Sequence, residues 1–373
     1  MPVPLLGIRV VDLSRVLAGP GCTMMLGDLG ASVIKVERPD LGDDTRGWGP
    51  PFDPSGRSAY FLSVNRNKLS IALDFRRPED VGTLLALIGN ADVVVENYLP
   101  GALARCGVVK ALELARNRKL IWCTISGFGP DSNRPGYDFV VQAEAGWMSI
   151  TGEVAGQSMK VGVALVDVLS GKDAAVAILG ALVGRTGEDA DRDLHVSLSG
   201  SATAALVNVA QNTLVSGQDA KRWGNAHPNL VPYQLFDAAD RPLVIAVGTD
   251  AQWLTLCTAL GLNELMADKA LATNSGRLAG RNLVVAQISA RVAQHPAAHW
   301  MSALAASGVP CGLVRTVTEA LDETDASRLT GVCSAVGGSV RYPPPSLNEH
   351  GDLIRKKHWS AFDHVPILES RLL

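Results

Sequence analysis

The chain lacks most of the signals that announce a familiar chemistry. Its charges nearly cancel, with 34 Lys and Arg against 37 Asp and Glu and a formal net charge of -3. Such a balance excludes a global pull toward nucleic acid or acidic membranes, so any polyanionic ligand must be held by a local group of Arg and Lys. The six cysteines (Cys22, Cys106, Cys123, Cys257, Cys311 and Cys333) form no C-x-x-C pair, and no His is spaced for zinc. They read as reduced, mostly buried thiols of a cytoplasmic protein without a metal centre. No stretch of about 18 uncharged apolar residues is present, so no membrane span is expected. Met1-Pro2-Val3-Pro4 lacks the charged and apolar regions of a signal peptide.

Three nucleotide and hydrolase signatures are also missing. There is no G-x-x-x-x-G-K-[ST] loop and no G-x-S-x-G elbow. Gly19-Pro20-Gly21-Cys22-Thr23-Met24 puts Met where a dinucleotide fingerprint needs its third Gly. Nicotinamide and flavin chemistry are therefore disfavoured.

What is present is an ordinary globular composition, 47% hydrophobic over 373 residues, enough for two domains and a real core. Residues 7–37 read as a β-α-β unit, with strands at 8–13 and 31–37 and a helix between them that ends near Gly30. Further strand patterns lie at 69–73, 92–95 and 120–125, with a helix at 78–88. Strands alternating with helices predict a parallel α/β layer. Helices are expected at 138–152, 168–184 and 202–214, and a strand at 195–198. Residues 218–232 are polar and marked by Gly and Pro, which suits a linker. A strand at 242–247 and helices near 251–261, 283–293 and 297–306 follow. Ser339 to Pro345 looks like a strand that ends in a rigid turn. The expected organisation is a large Rossmann-like domain over 1–217, a linker over 218–232, a smaller α/β domain over 233–325, and a segment over 326–373 that returns to the large domain.

The most informative side chain is Asp167. It follows Gly162-Val163-Ala164-Leu165-Val166 and precedes the apolar run from Ala174 to Val183. A carboxylate in that place is either a helix cap or a reacting group. Ser170-Gly171-Lys172-Asp173 fits a capping box, which would leave Asp167 one turn upstream and free to face a cleft.

Four further runs bear on the choice. The first joins Arg15-Val16-Leu17-Ala18-Gly19-Pro20 to Val33-Ile34-Lys35-Val36-Glu37-Arg38-Pro39 and Gly42-Asp43-Asp44-Thr45-Arg46. The second is Ser63-Val64-Asn65-Arg66-Asn67-Lys68, with Leu73-Asp74. The third runs from Val95-Glu96-Asn97-Tyr98 to Arg105-Cys106-Gly107. The fourth is Gly127-Phe128-Gly129-Pro130 with Arg134-Pro135-Gly136-Tyr137-Asp138 and Gln142. Together with the Asp167 segment, and in this order over nearly the whole chain, they resemble the family III CoA-transferases of the CaiB/BaiF type. Arg222-Trp223-Gly224-Asn225-Ala226-His227 and Val231-Pro232-Tyr233-Gln234 resemble the branch that moves CoA between dicarboxylic acids, the succinyl-CoA:glutarate kind.

The resemblance implies a fold, a reaction and a set of roles. The fold would be that of an interlocked homodimer. Asp167 would be the catalytic nucleophile, ionised at pH 7 from its reference pKa near 3.9, passing through an aspartyl anhydride and an aspartyl-CoA thioester. Coenzyme A would be a co-substrate, with no permanently bound cofactor. Arg38, Lys68 and Arg105 would meet its phosphates, since Arg forms paired hydrogen bonds to phosphate and Lys acts as a point charge. Val16, Ala18, Asn97 and Tyr98 would line the path of its pantetheine and adenine. Leu17 stands where formyl-CoA transferases carry Gln, which points to a larger acyl group. Gly248 would belong to a loop covering the reacting centre, with Thr249 or Asp250 as the cap of the next helix. Tyr137 would line the substrate. It replaces the His of the α-methylacyl-CoA racemases, and a phenol with a reference pKa near 10 does not readily take over that acid/base role. Racemisation, or CoA binding without catalysis, remain the alternatives.

Overall fold

The computed structural model of the protein describes residues 3–184, 192–322, 331–332, 334–336 and 338–368. Cys333 and the expected boundary at 325/326 lie outside them. The chain divides into two compact units. One comprises Met1–Met148, Lys160–Gln218 and Asp325–Leu373, the other Ser149–Met159 and Asp219–Thr324.

The first unit is built on six strands: β1 (Arg9–Asp12), β2 (Ser32–Glu37), β3 (Lys68–Ala72), β4 (Val93–Glu96), β5 (Ile121–Ser126) and β6 (Asp193–Ser197). They pair in the order β3-β2-β1-β4-β5-β6, and every pairing is parallel. Central strands of a parallel sheet are covered on both faces, which favours consecutive apolar residues such as Val93-Val94-Val95. Alternate side chains then feed two separate cores. Val10, Val33, Val93, Ile121 and Cys123 pack with Ala18, Cys22, Leu26, Ala174 and Ile178 on one face. Val11, Ile34, Val94 and Trp122 pack with Leu84, Leu87 and Ile88 on the other. Ile354, Trp359 and Ala361 of the C-terminal segment complete that second core.

Several expected elements shift, each for a local reason. The helix expected from 168 runs over Leu165–Gly184. Ser170 is buried inside it and donates its hydroxyl to Val166 O at 2.8 Å, so it does not cap the helix. The helix expected over 138–152 is two pieces, Asp138–Glu144 and Trp147–Ile150, parted by Gly146 at φ +85°. The one expected over 202–214 is Leu198–Ala204 and Val207–Ser216. The strand expected from 339 does not form. The Asn67 side chain takes the backbone N–H groups of Arg341 and Tyr342 at 2.6 and 3.0 Å, which supplies the partners a sheet neighbour would have given.

The second unit carries β7 (Tyr233–Asp237), β8 (Pro242–Ala246) and β9 (Cys311–Leu313) as an antiparallel sheet in that order. Leu243 and Ile245 pack with Trp253, Ile288 and Trp300 from its helices. Thr249 caps the Asp250–Leu260 helix by accepting from the Gln252 N–H.

Candidate active site

The strand order of the first unit reverses direction between β1 and β4. In an open parallel sheet, the carboxyl ends of the two strands at such a reversal splay apart and leave a crevice. A cleft of about 260 Å³ lies there, lined by Arg15 to Ala18 after β1 and Asn97 to Pro100 after β4. Ser126, Gly127, Arg134, Tyr137 and Asp167 close its other sides. The fold therefore brings Val16, Leu17, Ala18, Asn97, Tyr98, Tyr137 and Asp167 together.

The crevice is held open by polar stitching. The Asn97 amide donates to Arg15 O at 2.8 Å and accepts from Arg15 N at 3.0 Å. Its role is thus to tie β4 to β1, with both ends of the amide used inside the protein. Val16 has φ +73°, a left-handed conformation that is costly for a β-branched residue. Its N–H donates to the buried Asp43 carboxylate at 3.2 Å. Asp43 in turn pairs with buried Lys35 at 2.9 Å. Burial alone would raise the Asp43 carboxyl, and the Lys35 charge overrides it and keeps it below the usual range. A buried ion pair thus holds the turn that starts the Ala18–Asp28 helix.

Asp167 reaches the cleft because of a close helix contact. A Cβ on Gly171 would come within 2.6 Å of Ala18 O. With glycine there, the Leu165–Gly184 helix approaches the start of the Ala18–Asp28 helix closely. Asp167 lies one turn earlier, in the first turn of its helix. The exposed N–H groups of that turn are capped from elsewhere in the chain: Asp138 Oδ1 accepts from Val166 N at 2.8 Å and from Asp167 N at 3.3 Å. Asp138 Oδ2 accepts from Gln142 Nε2 at 2.6 Å.

The Asp167 carboxyl is not fully ionised at pH 7, contrary to the expectation from its reference value. Burial, reinforced by the Asp138 charge, pushes it up to about 7. The helix N-terminus works the other way by roughly 0.3–1 kcal/mol. That is small beside the roughly 4 kcal/mol that such a shift represents. Tyr60 lies close enough for the Asp167 charge to help raise its phenol, after burial.

The remaining expected residues divide. Arg38 lines a neighbouring cleft of about 310 Å³ with Leu73, Phe75, Arg76, Tyr98 and Cys106. Tyr98 lines both clefts, so they adjoin at that ring. Arg105 is exposed at the end of a short helix, Ala102–Arg105, beside this second cleft's Cys106. Lys68 is a correction. It is fully buried, and its ammonium donates at 2.9 Å to each of Asp12 Oδ2, Pro20 O and Asn65 Oδ1. An ammonium has three N–H donors, so none remains for a phosphate. Gly248 belongs to the second unit, where its N–H donates to Gln252 Oε1 at 2.8 Å. Sequence reasoning missed Asp138, Arg76 and Tyr60 as site neighbours. Only the run Gly136-Tyr137-Asp138 carried a signal, and it was read for Tyr137 alone.

A carboxyl with a raised pKa lining a cleft, next to a second cleft with two arginines, suits a nucleophile and an elongated anionic substrate. Comparisons with known proteins agree in kind. Residues 5–346 match the model of the CoA-transferase family III. The chain is 40% identical over 376 residues to the succinyl-CoA:glutarate CoA-transferase of Mus musculus, covering 95% of this chain and 86% of that protein. It is 39% identical to the succinate–glutarate CoA-transferase of Agrobacterium fabrum, over 93% of this chain and 94% of the other. A crystal structure of a CaiB/BaiF family protein from Brucella suis superposes with a TM-score of 0.82 at 39% identity, covering 95% of this chain and 98% of that one. The chain belongs to the family III CoA-transferases.

Proposed function

We propose that the enzyme transfers CoA from a dicarboxylyl-CoA such as succinyl-CoA to a dicarboxylic acid, with Asp167 as the nucleophile. The ionised Asp167 attacks the thioester carbonyl; the C–S bond breaks and CoA leaves as a thiolate, giving a mixed anhydride. The thiolate attacks the aspartyl carbonyl and releases the donor acid, giving an aspartyl-CoA thioester. The acceptor carboxylate attacks that thioester and the sequence runs in reverse. One thioester replaces another, so no ATP is consumed. The observation that carries this reading is Asp167 in the cleft at the strand reversal, with its carboxyl raised to about 7. A carboxyl raised to about 7 keeps part of its population ionised at neutral pH, and the ionised form is the nucleophile.

In this reading CoA lies along the two clefts that meet at Tyr98, past Val16 and Ala18, with Arg38, Arg76 and Arg105 toward its phosphates. Leu17 and Tyr137 face the acyl group. The dicarboxylate preference is supported by the names of the Mus musculus and Agrobacterium fabrum relatives. A homodimer is supported by the Val207–Ser216 helix, none of whose residues is buried and which carries Leu214 and Val215 at 77% and 78% exposure. Such an apolar face is suited to a partner chain. Among the described residues, no helix is long and apolar enough to cross a membrane.

The test is CoA exchange between succinyl-CoA and a panel of acids, with Asp167→Ala alongside. Wild type should form glutaryl-CoA, and the variant should lose at least roughly 1,000-fold. Full activity in the variant would contradict the mechanism. The racemase alternative would show exchange of the proton α to the thioester with no acceptor acid present.

A further inference from the structure

We propose that Arg15 is the residue that selects dicarboxylates, by binding the second carboxylate of the substrate. This inference rests on the CoA-transfer reading above and names the group behind its specificity.

Two arginines line the Asp167 cleft, Arg15 and Arg134. They are not equivalent. Arg134 donates from both of its terminal nitrogens to the two oxygens of Glu144, at 3.1 and 2.5 Å. Its charge is matched and its paired hydrogen-bonding edge is occupied. Arg15 has one side-chain hydrogen bond, from Nη1 to Asp44 Oδ2 at 3.2 Å. The other oxygen of Asp44 accepts from Arg38. One carboxylate thus serves two guanidinium groups, which leaves an excess of one positive charge at the rim between the two clefts.

The rest of Arg15 is set up for an acceptor that the protein does not supply. Its Nε is buried and has no hydrogen-bond partner. The buried Nε is out of a ligand's reach, so a substrate carboxylate would meet the solvent-facing end of the guanidinium, where Asp44 engages Nη1 alone. The side chain is 40% exposed. Its guanidinium carbon lies 5.5 Å from the centre of the Tyr98 ring, within cation–π range. The Arg15 backbone is held by Asn97 independently of the side chain. A substitution therefore removes the charge and leaves the stitch between β1 and β4 in place.

The same cation would also attract a CoA phosphate, and the experiment separates the two. Glutarate and pentanoate have the same chain length and differ in the second carboxylate. They compete for CoA from one donor, succinyl-CoA, so that effects on the donor cancel in the ratio of products. Wild type should favour glutarate. R15Q should lower the glutarate to pentanoate ratio roughly 10- to 100-fold, the range of a charge-assisted pair, and R15K should restore part of it. An unchanged ratio in R15Q would overturn the inference, as would an equal loss with both acids or a rise confined to the KM for the CoA donor. If wild type moves CoA to neither acid, the functional reading fails. If it moves CoA without preferring glutarate, the dicarboxylate assignment fails.

Discussion

Asp138 Oδ1 accepts the backbone N–H of Asp167 at 3.3 Å, while the charge on the same carboxylate adds to burial in raising the Asp167 carboxyl to about 7. One residue thus sets both the position and the protonation of its neighbour. Asp138→Asn keeps the accepting oxygen and removes the charge. In that variant the acid limb of kcat/KM against pH should move to lower pH, with burial still holding it above the ordinary carboxylate range. Asp138→Ala also removes the cap and should cost about 1 kcal/mol of stability, read from urea unfolding. An acid limb unmoved in Asp138→Asn would mean that the charge does not act on the Asp167 carboxyl.

The raised carboxyl has a consequence for folding. Its folded pKa, about 7, lies above its unfolded value near 3.8. Below about pH 4 the group is neutral in both states and has no effect. As pH rises from 4 to 7 only the unfolded chain ionises freely, so the native state loses stability; above 7 the cost is complete. Asp167→Asn should therefore be more stable than wild type at pH 8, by roughly 2–4 kcal/mol, with the gain shrinking toward pH 4. Equal unfolding midpoints at pH 8 and pH 4 would contradict the burial of this charge.

Lys68 should behave as a structural residue. Its ammonium pairs with Asp12 at 2.9 Å, and both side chains have no solvent exposure. Removing one partner of a buried pair leaves the other with less compensation, here Lys35 at 4.0 Å from Asp12, so Lys68→Met should cost roughly 3 kcal/mol. The folded fraction should keep its KM for succinyl-CoA. A raised KM with unchanged thermal stability would restore Lys68 as a phosphate contact.

Gly171 tests the helix contact that places Asp167. An added methyl would meet Ala18 O at 2.6 Å, a backbone atom that cannot rotate away. Gly171→Ala should cost roughly 1–3 kcal/mol and lower kcat by moving Asp167. Gly180→Ala, on the same helix with nothing within 4 Å, is the matched control and should be close to neutral.

The parallel α/β layer was legible because buried strand segments such as Val93-Val94-Val95 are continuous apolar runs between helical patterns. Asp167 was legible for its place beside an apolar stretch and for the runs around it. Other features depended on contacts distant in sequence. Lys68 looks like a solvated cation until Asp12 and Asn65 close around it. The helix start at Leu165 lacks a local cap because Asp138 provides it from 27 residues upstream of that start. The protonation of Asp167 follows from burial, which no local pattern encodes. Arg15 and Arg134 look alike along the chain and differ only through Glu144 and the sharing of Asp44 with Arg38.

The central claim is that Asp167 becomes covalently attached to CoA during turnover. Brief incubation with succinyl-CoA, acid quenching and peptide mass spectrometry tests it most directly, with hydroxylamine added in a parallel sample. The peptide containing Asp167 should carry the mass of a CoA thioester, or a hydroxamate after hydroxylamine, and Asp167→Ala should carry neither. Full turnover with Asp167 unmodified, or a CoA adduct on another residue, would contradict the account.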